Sequence, residues 1–137
     1  MWDEIHSVLK RKAAEGVEVR VIFDDFGSIT RQAVSFTEQL QSEGILVSVF
    51  NKIRPSVDIF MNNRNHRKII IIDGKVAFTG GINIGDEYIN EVQLHGYWMD
   101  SAVMFRGDAV RSFTVMFLNM WTFNTRNVLP AENYTKP

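Results

Sequence analysis

Two short runs rich in apolar residues, Arg67–Ile72 and Lys75–Thr79, stand on either side of the dipeptide Asp73–Gly74. Asp-Gly between such runs predicts a β-hairpin, because both central residues of the tight turn take positive φ and these two tolerate it. The first arm holds four consecutive isoleucines, Ile69 to Ile72. An arm with no polar side calls for cover on both faces, which points to a strand inside a layered α/β fold.

The rest of the chain supplies matching elements. Ile5, Val8, Leu9 and Ala13 recur at helical spacing, so Trp2 to Ala14 is expected as an amphipathic helix ended by Gly16. Val17 to Phe23 reads as a strand, Asp24 to Ser28 as a loop, Thr30 to Ser42 as a helix and Ile45 to Phe50 as a second strand. Strand, helix, strand at this spacing implies a right-handed crossover with parallel pairing. Asn51 to Asn65 has weak periodicity and is read as a loop with one short strand at most. After the hairpin, Trp98 to Phe105 is expected as a strand and Gly107 to Phe123 as a helix. From Asn124 the chain turns polar, so residues 1–123 read as one module and 124–137 as a tail or the start of a linker. Parallel and antiparallel pairing together imply a mixed sheet.

Composition narrows the function. The hydrophobic fraction of 45% and charged fraction of 23% are those of a soluble globular protein. There is no cysteine, and only three histidines are present, which excludes disulfides and leaves little for a zinc site. No apolar stretch approaches the roughly 20 residues that span a bilayer, so this chain itself is expected to be soluble. A net charge of −1 and a pI near 6.3 give no overall footprint for nucleic acid. Locally, residues 51–75 hold six basic side chains against two acidic ones, Asp58 and Asp73. Such an excess attracts a phosphate, although a solvated basic loop has the same composition.

The segment NHRKIIIIDGKVAFTGGIN carries the chemistry. Alternate residues of a strand share a face, which would project His66 and Lys68 together and Arg67 away. An imidazole beside an ammonium packs poorly but suits a phosphoryl group. The lysine binds a non-bridging oxygen, and the histidine attacks phosphorus or moves a proton. Gly80 and Gly81 permit close approach of backbone to a ligand, and Asn83 adds a neutral donor. A short helix from Ile84 onward would turn further N–H groups toward the anion. His6 and His95 read as a helix-surface and a loop residue. Asp24 and Asp25 follow a strand end, but adjacent aspartates point apart and make a weak metal site.

His66-x-Lys68-x-x-x-x-Asp73 followed by Gly80-Gly81-x-Asn83 resembles the signature of the phospholipase D superfamily. KAAEGVEVRVIFDDFGS, GGINIGDEY and YWMD extend the likeness from about Ile5 to Trp121, most closely to bacterial cardiolipin synthases. The resemblance implies an α/β/α sandwich with a mixed sheet, and neither cofactor nor metal. It implies that His66 is the nucleophile of a phosphohistidine, or the general acid for the leaving alcohol. Lys68 and Asn83 would hold phosphate oxygens, and Asp100 would accept from the far nitrogen of the histidine and fix its tautomer. Asp73 belongs to the catalytic motif, although the turn itself demands Asp-Gly.

Members of that family build one active site from two motifs, and this chain holds one. It also begins after the usual start of the fold, so a missing edge strand is expected. The chain is therefore read as the truncated first catalytic half of a membrane-associated synthase. The expected reaction joins two phosphatidylglycerol molecules into cardiolipin and releases glycerol. The expected partner is a second module of the parent or an identical copy paired about a two-fold axis. The alternatives are a single-motif nuclease acting as a homodimer, which the pI opposes, and a catalytically silent fragment.

Overall fold

The computed structural model describes residues 1–24, 31–50, 65–94 and 96–135, and of residues 31–33 the backbone alone. The loops expected at 25–28 and 51–64, most of the basic stretch, Asp25 and His95 lie outside the described residues. The chain divides into two compact units, residues 3–66 and residues 67–137, the latter joined by Met1 and Trp2.

In the first unit, helix α1 (Trp2–Ala14) ends where Gly16 takes a φ of 87°. Strand β1 (Arg20–Asp24) pairs in parallel with β2 (Leu46–Phe50), and α2 (Arg31–Ser42) makes the crossover between them. The reason is apolar burial: Leu40 and Ile45 are almost wholly enclosed, and Phe36 of α2 meets Phe23 of β1 edge-on at 5.5 Å. β1 starts three residues later than its apolar pattern suggests, although Val19 ahead of it is already buried and its carbonyl accepts the Leu46 amide at 2.9 Å. His6 is not a plain surface residue. It is half-buried and its Nε2 lies 2.5 Å from Glu43 Oε2, while Lys10 reaches the other oxygen at 3.0 Å. These two partners, His6 first, hold the Glu43 carboxyl below its ordinary range and tie α1 to the turn after α2.

The second unit is an antiparallel meander crossed by one helix. β3 (Lys68–Ile72), β4 (Val76–Gly80) and β5 (Ala102–Arg106) pair in that order, with Ile72 opposite Val76 and Lys68 opposite Gly80. Asp73 and Gly74 take φ of 52° and 63°, and the Lys75 amide donates to Ile72 at 2.9 Å. The expected turn forms, with Lys75 as an additional connecting residue. Helix α3 (Ala109–Thr125) buries Val110, Thr114, Leu118 and Trp121, and Phe113 meets Phe105 of β5 at 5.0 Å.

Among the described residues of its own unit, β3 is covered on one face only. Ala77 of β4 is fully enclosed, whereas Ile70 and Ile72 are 59% and 49% exposed. A single helix crosses this meander, and residues that alternate away from it have no covering element among those described in the unit. The stretch after Phe123 continues α3 to Thr125 and forms a 3-10 turn at Ala131–Asn133. The Tyr134 carbonyl then lies where a Cβ at Gly74 would sit. Helices with both parallel and antiparallel strands make this an α/β protein. No helix of the described residues is long and apolar enough to cross a membrane.

Candidate active site

Lys68 is the first residue of the β3 ladder, opposite Gly80, and Gly80 in turn lies opposite Ala102. Its carbonyl accepts the Thr79 hydroxyl at 2.8 Å, which fixes the strand at the point where the lysine departs. The side chain is half-buried. Burial holds its ammonium below the ordinary lysine range, and the nearby Asp100 carboxylate offsets part of that effect.

The glycine pair has a local explanation. A Cβ at Gly80 would stand 2.5 Å from the Ser101 carbonyl oxygen, and one at Gly81 would stand 2.5 Å from Asp100 Oδ1. Among the described residues, the close approach that these glycines permit is made by Ser101 and Asp100. The Gly81 amide reaches Ser101 O at 3.4 Å, and Asp100 Oδ1 accepts the Ser101 N–H at 2.7 Å. Asp100 is exposed to solvent yet seated by this backbone.

Asn83 follows in the bend after β4 and is half-buried. The helix expected from Ile84 is only a 3-10 turn, Asp86–Ile89, with two acidic residues leading it. Asp86 and Glu87 set negative charge at the start of this turn, which opposes an anion there. The strand expected from Trp98 begins instead at Ala102. Trp98 is held by Asn90, whose Oδ1 accepts the Trp98 N–H at 2.7 Å and whose Nδ2 donates to Trp98 O at 3.0 Å. Sequence reasoning missed Asn90. Its signal was weak, since asparagine tolerates the left-handed φ of 62° found there but does not announce a partner eight residues on.

His66 is exposed and precedes the ladder, which starts at Lys68. Strand alternation therefore does not extend to it, because β4 ends at Gly80 and its chain bends at Gly81. In its own unit, the Asn65 amide donates to Asp24 Oδ2 at 3.2 Å, fixing the backbone one residue ahead of His66. Asp73 lies at the far end of β3 from Lys68, about 16 Å away along an extended chain. Its exposed side chain and positive φ fit the turn, and the structure does not bring it to Lys68. Among the described residues no group of three or more His, Asp or Glu side chains could hold a metal ion.

A family model described as "Cardiolipin synthase, PLD-like domain" matches residues 2–121. The chain belongs to this phospholipase D-like family. The matched span takes in His66, Lys68, Asp73, Asn83 and Asp100. The chain is 40% identical over 138 residues to a cardiolipin synthase of Alkalihalophilus pseudofirmus, covering 100% of this chain and 27% of that protein. It is 41% identical over 140 residues to a cardiolipin synthase of Geobacillus kaustophilus, covering 98% and 28%. An uncharacterized protein of Streptococcus mutans is 48% identical over 127 residues, covering 93% and 28%. The chain thus spans little more than a quarter of the curated relatives it matches. The α/β class expected from the sequence is that of a phospholipase D-like domain.

Proposed function

We propose that residues 1–123 are the first catalytic module of a longer phosphatidyltransferase that makes cardiolipin from two phosphatidylglycerol molecules. One observation carries this reading: in a chain of the phospholipase D-like family, Asp100 is seated on Gly81 within electrostatic reach of Lys68. A cation for phosphate oxygens beside a carboxylate that can orient an imidazole is the pair that such chemistry needs.

In the proposed first step a nitrogen of His66 attacks phosphorus of one phosphatidylglycerol. The bond from phosphorus to the headgroup glycerol breaks, and glycerol leaves with a proton from the matching histidine of the second module. That histidine, now neutral, takes a proton from the headgroup hydroxyl of another phosphatidylglycerol. The freed oxygen attacks the phosphohistidine, the P–N bond breaks, and cardiolipin leaves with His66 restored. Exchanging the two histidines' roles keeps the same balance. Lys68 and Asn83 carry the charge on the non-bridging oxygens. Asp100 accepts from the far nitrogen of His66 and keeps the attacking lone pair toward phosphorus. Asp73 serves through the hairpin turn.

The second module, supplied by the parent chain, is the proposed partner, and the parent works at the membrane that holds its substrates. The isolated 137-residue chain is then expected to show little transfer. The test is conversion of labelled phosphatidylglycerol to cardiolipin by the full-length protein with His66→Ala. A fall of about 10²-fold or more supports the reading, as general acid–base or nucleophilic groups contribute at least that much. Near-normal turnover sinks it.

A further inference from the structure

Asp100 lies in a segment without regular hydrogen bonding, residues 97–101, ahead of β5. Such a segment has no ladder to fix it, yet the carboxylate is placed to within contact distance of the Gly81 backbone. Two anchors bracket it. At Ser101, one residue on, the backbone is held by the Gly81 amide and by Asp100 Oδ1 itself. At Trp98, two residues back, both main-chain polar groups are taken by the carboxamide of Asn90, at 2.7 and 3.0 Å.

The Trp98 anchor depends on Asn90 in a specific way. The ring of Trp98 leans on Tyr88 at 4.8 Å, but its indole Nε1 is buried with no hydrogen-bond partner among the described residues. The main chain, not the indole nitrogen, is what ties this residue down. Asn90 is itself fixed, since it closes the 3-10 turn Asp86–Ile89 with its amide on Glu87 O at 3.2 Å. Between the two anchors Met99 is 88% exposed and adds no support, and the described residues of the 91–97 loop are exposed as well.

We propose that Asn90 is a positioning residue, whose carboxamide clasps the main chain of Trp98 and thereby holds Asp100 over Gly81 beside Lys68. Its value to catalysis rests on the function proposed above, but the clasp itself does not. Removing the side chain leaves Asp100 attached to the sheet on one side only. The carboxylate then swings away from Gly81, and Lys68 loses the favourable charge of Asp100.

The test uses the 137-residue chain and nuclear magnetic resonance, with Asn90→Gly as the main variant because glycine accepts the positive φ without strain. Amide exchange at Ser101, whose N–H bonds to Asp100, is expected to quicken by about 10-fold or more as that local bond opens. Ala77 in the centre of β4 should remain protected. The Lys68 titration should move to lower pH, in the direction set by Asp100→Asn, and Asn90→Gly added to Asp100→Asn should move it no further. Additional movement in the double variant, or unchanged Ser101 exchange while the Trp98 amide becomes exposed, would overturn the proposal. If Asn90→Gly does not fold, Asn90→Asp carries the test. It keeps the acceptor for Trp98 N–H and loses the donor, so Ser101 exchange faster than in the wild type is expected and a wild-type rate overturns it. The His66 tautomer is read in the same spectra. A tautomer indifferent to Asp100→Asn counts against the proposed function and leaves the clasp standing.

Discussion

The carboxylate of Asp100 occupies the space in which a side chain at residue 81 would begin, with Oδ1 2.5 Å from the position of a Gly81 Cβ. Gly81→Ala therefore requires one of the two to move. The expected result is a stability loss of about 1–3 kcal/mol, the usual cost of a forced backbone or side-chain shift. It should come with a fall in full-length transfer activity comparable to that of Asp100→Asn. Thermal unfolding of the chain and a lipid assay of the parent check the two parts. A Gly81→Ala protein with unaltered stability and activity would show that the carboxylate is not seated there.

Lys68 must be charged to hold a phosphate oxygen, and burial makes the charge easier to lose than in an ordinary lysine. Binding of an alkyl phosphate analogue should therefore fail on an alkaline limb that lies below the usual lysine value of 10.5. Asp100 favours the charged form, so Asp100→Asn moves this limb to still lower pH. Affinity measured by calorimetry across the alkaline range checks the sign. A limb displaced upward in Asp100→Asn contradicts the assigned neighbourhood.

At the other end of the hairpin, Gly74 combines a φ of 63° with the Tyr134 carbonyl in the place of a Cβ. Gly74→Ala is expected to destabilise by more than about 1 kcal/mol, through backbone strain and collision together. Deleting residues 131–137 should reduce that penalty, since only the strain remains, and a double-mutant cycle by denaturant unfolding measures the difference. Asp73→Asn should keep both turn and activity, because asparagine also accepts positive φ.

Glu43 gives a pH signature away from the site. Its carboxyl is held below the ordinary value of 4.5, first by His6 and then by Lys10. A depressed folded-state value stabilises above the unfolded one and is lost as pH falls through the folded one. The advantage of the native chain over Glu43→Gln should thus be full above pH 4.5 and vanish on further acidification. Urea midpoints at a series of pH values would reveal it, and parallel curves for the two proteins would refute it.

The hairpin was legible because its cause is local. Asp73 and Gly74 carry the turn's backbone preference within themselves, and Gly16 likewise marks the end of α1. Burial was legible where one helix face meets one sheet face, as with Leu40, Val110 and Trp121. Alternation misled at the strand margins. The ladder stops at Lys68 and starts again only at Ala102, since a strand extends only as far as its neighbour offers hydrogen-bonding groups.

Residue type and spacing alone determined the helix–strand order, the parallel crossover, the Asp73–Gly74 turn and the motif that marks His66, Lys68 and Asn83. Each of these rests on interactions among residues a few positions apart, or on a pattern written in one segment. Tertiary structure decided that Gly81 makes room for Asp100, that Asn90 clasps Trp98, that His6 pairs with Glu43, and that Ile70 stays exposed. In the first three pairs the partners are 19, 8 and 37 residues apart. Their meeting depends on how strands and turns are stacked, and no local preference of either residue encodes that distance.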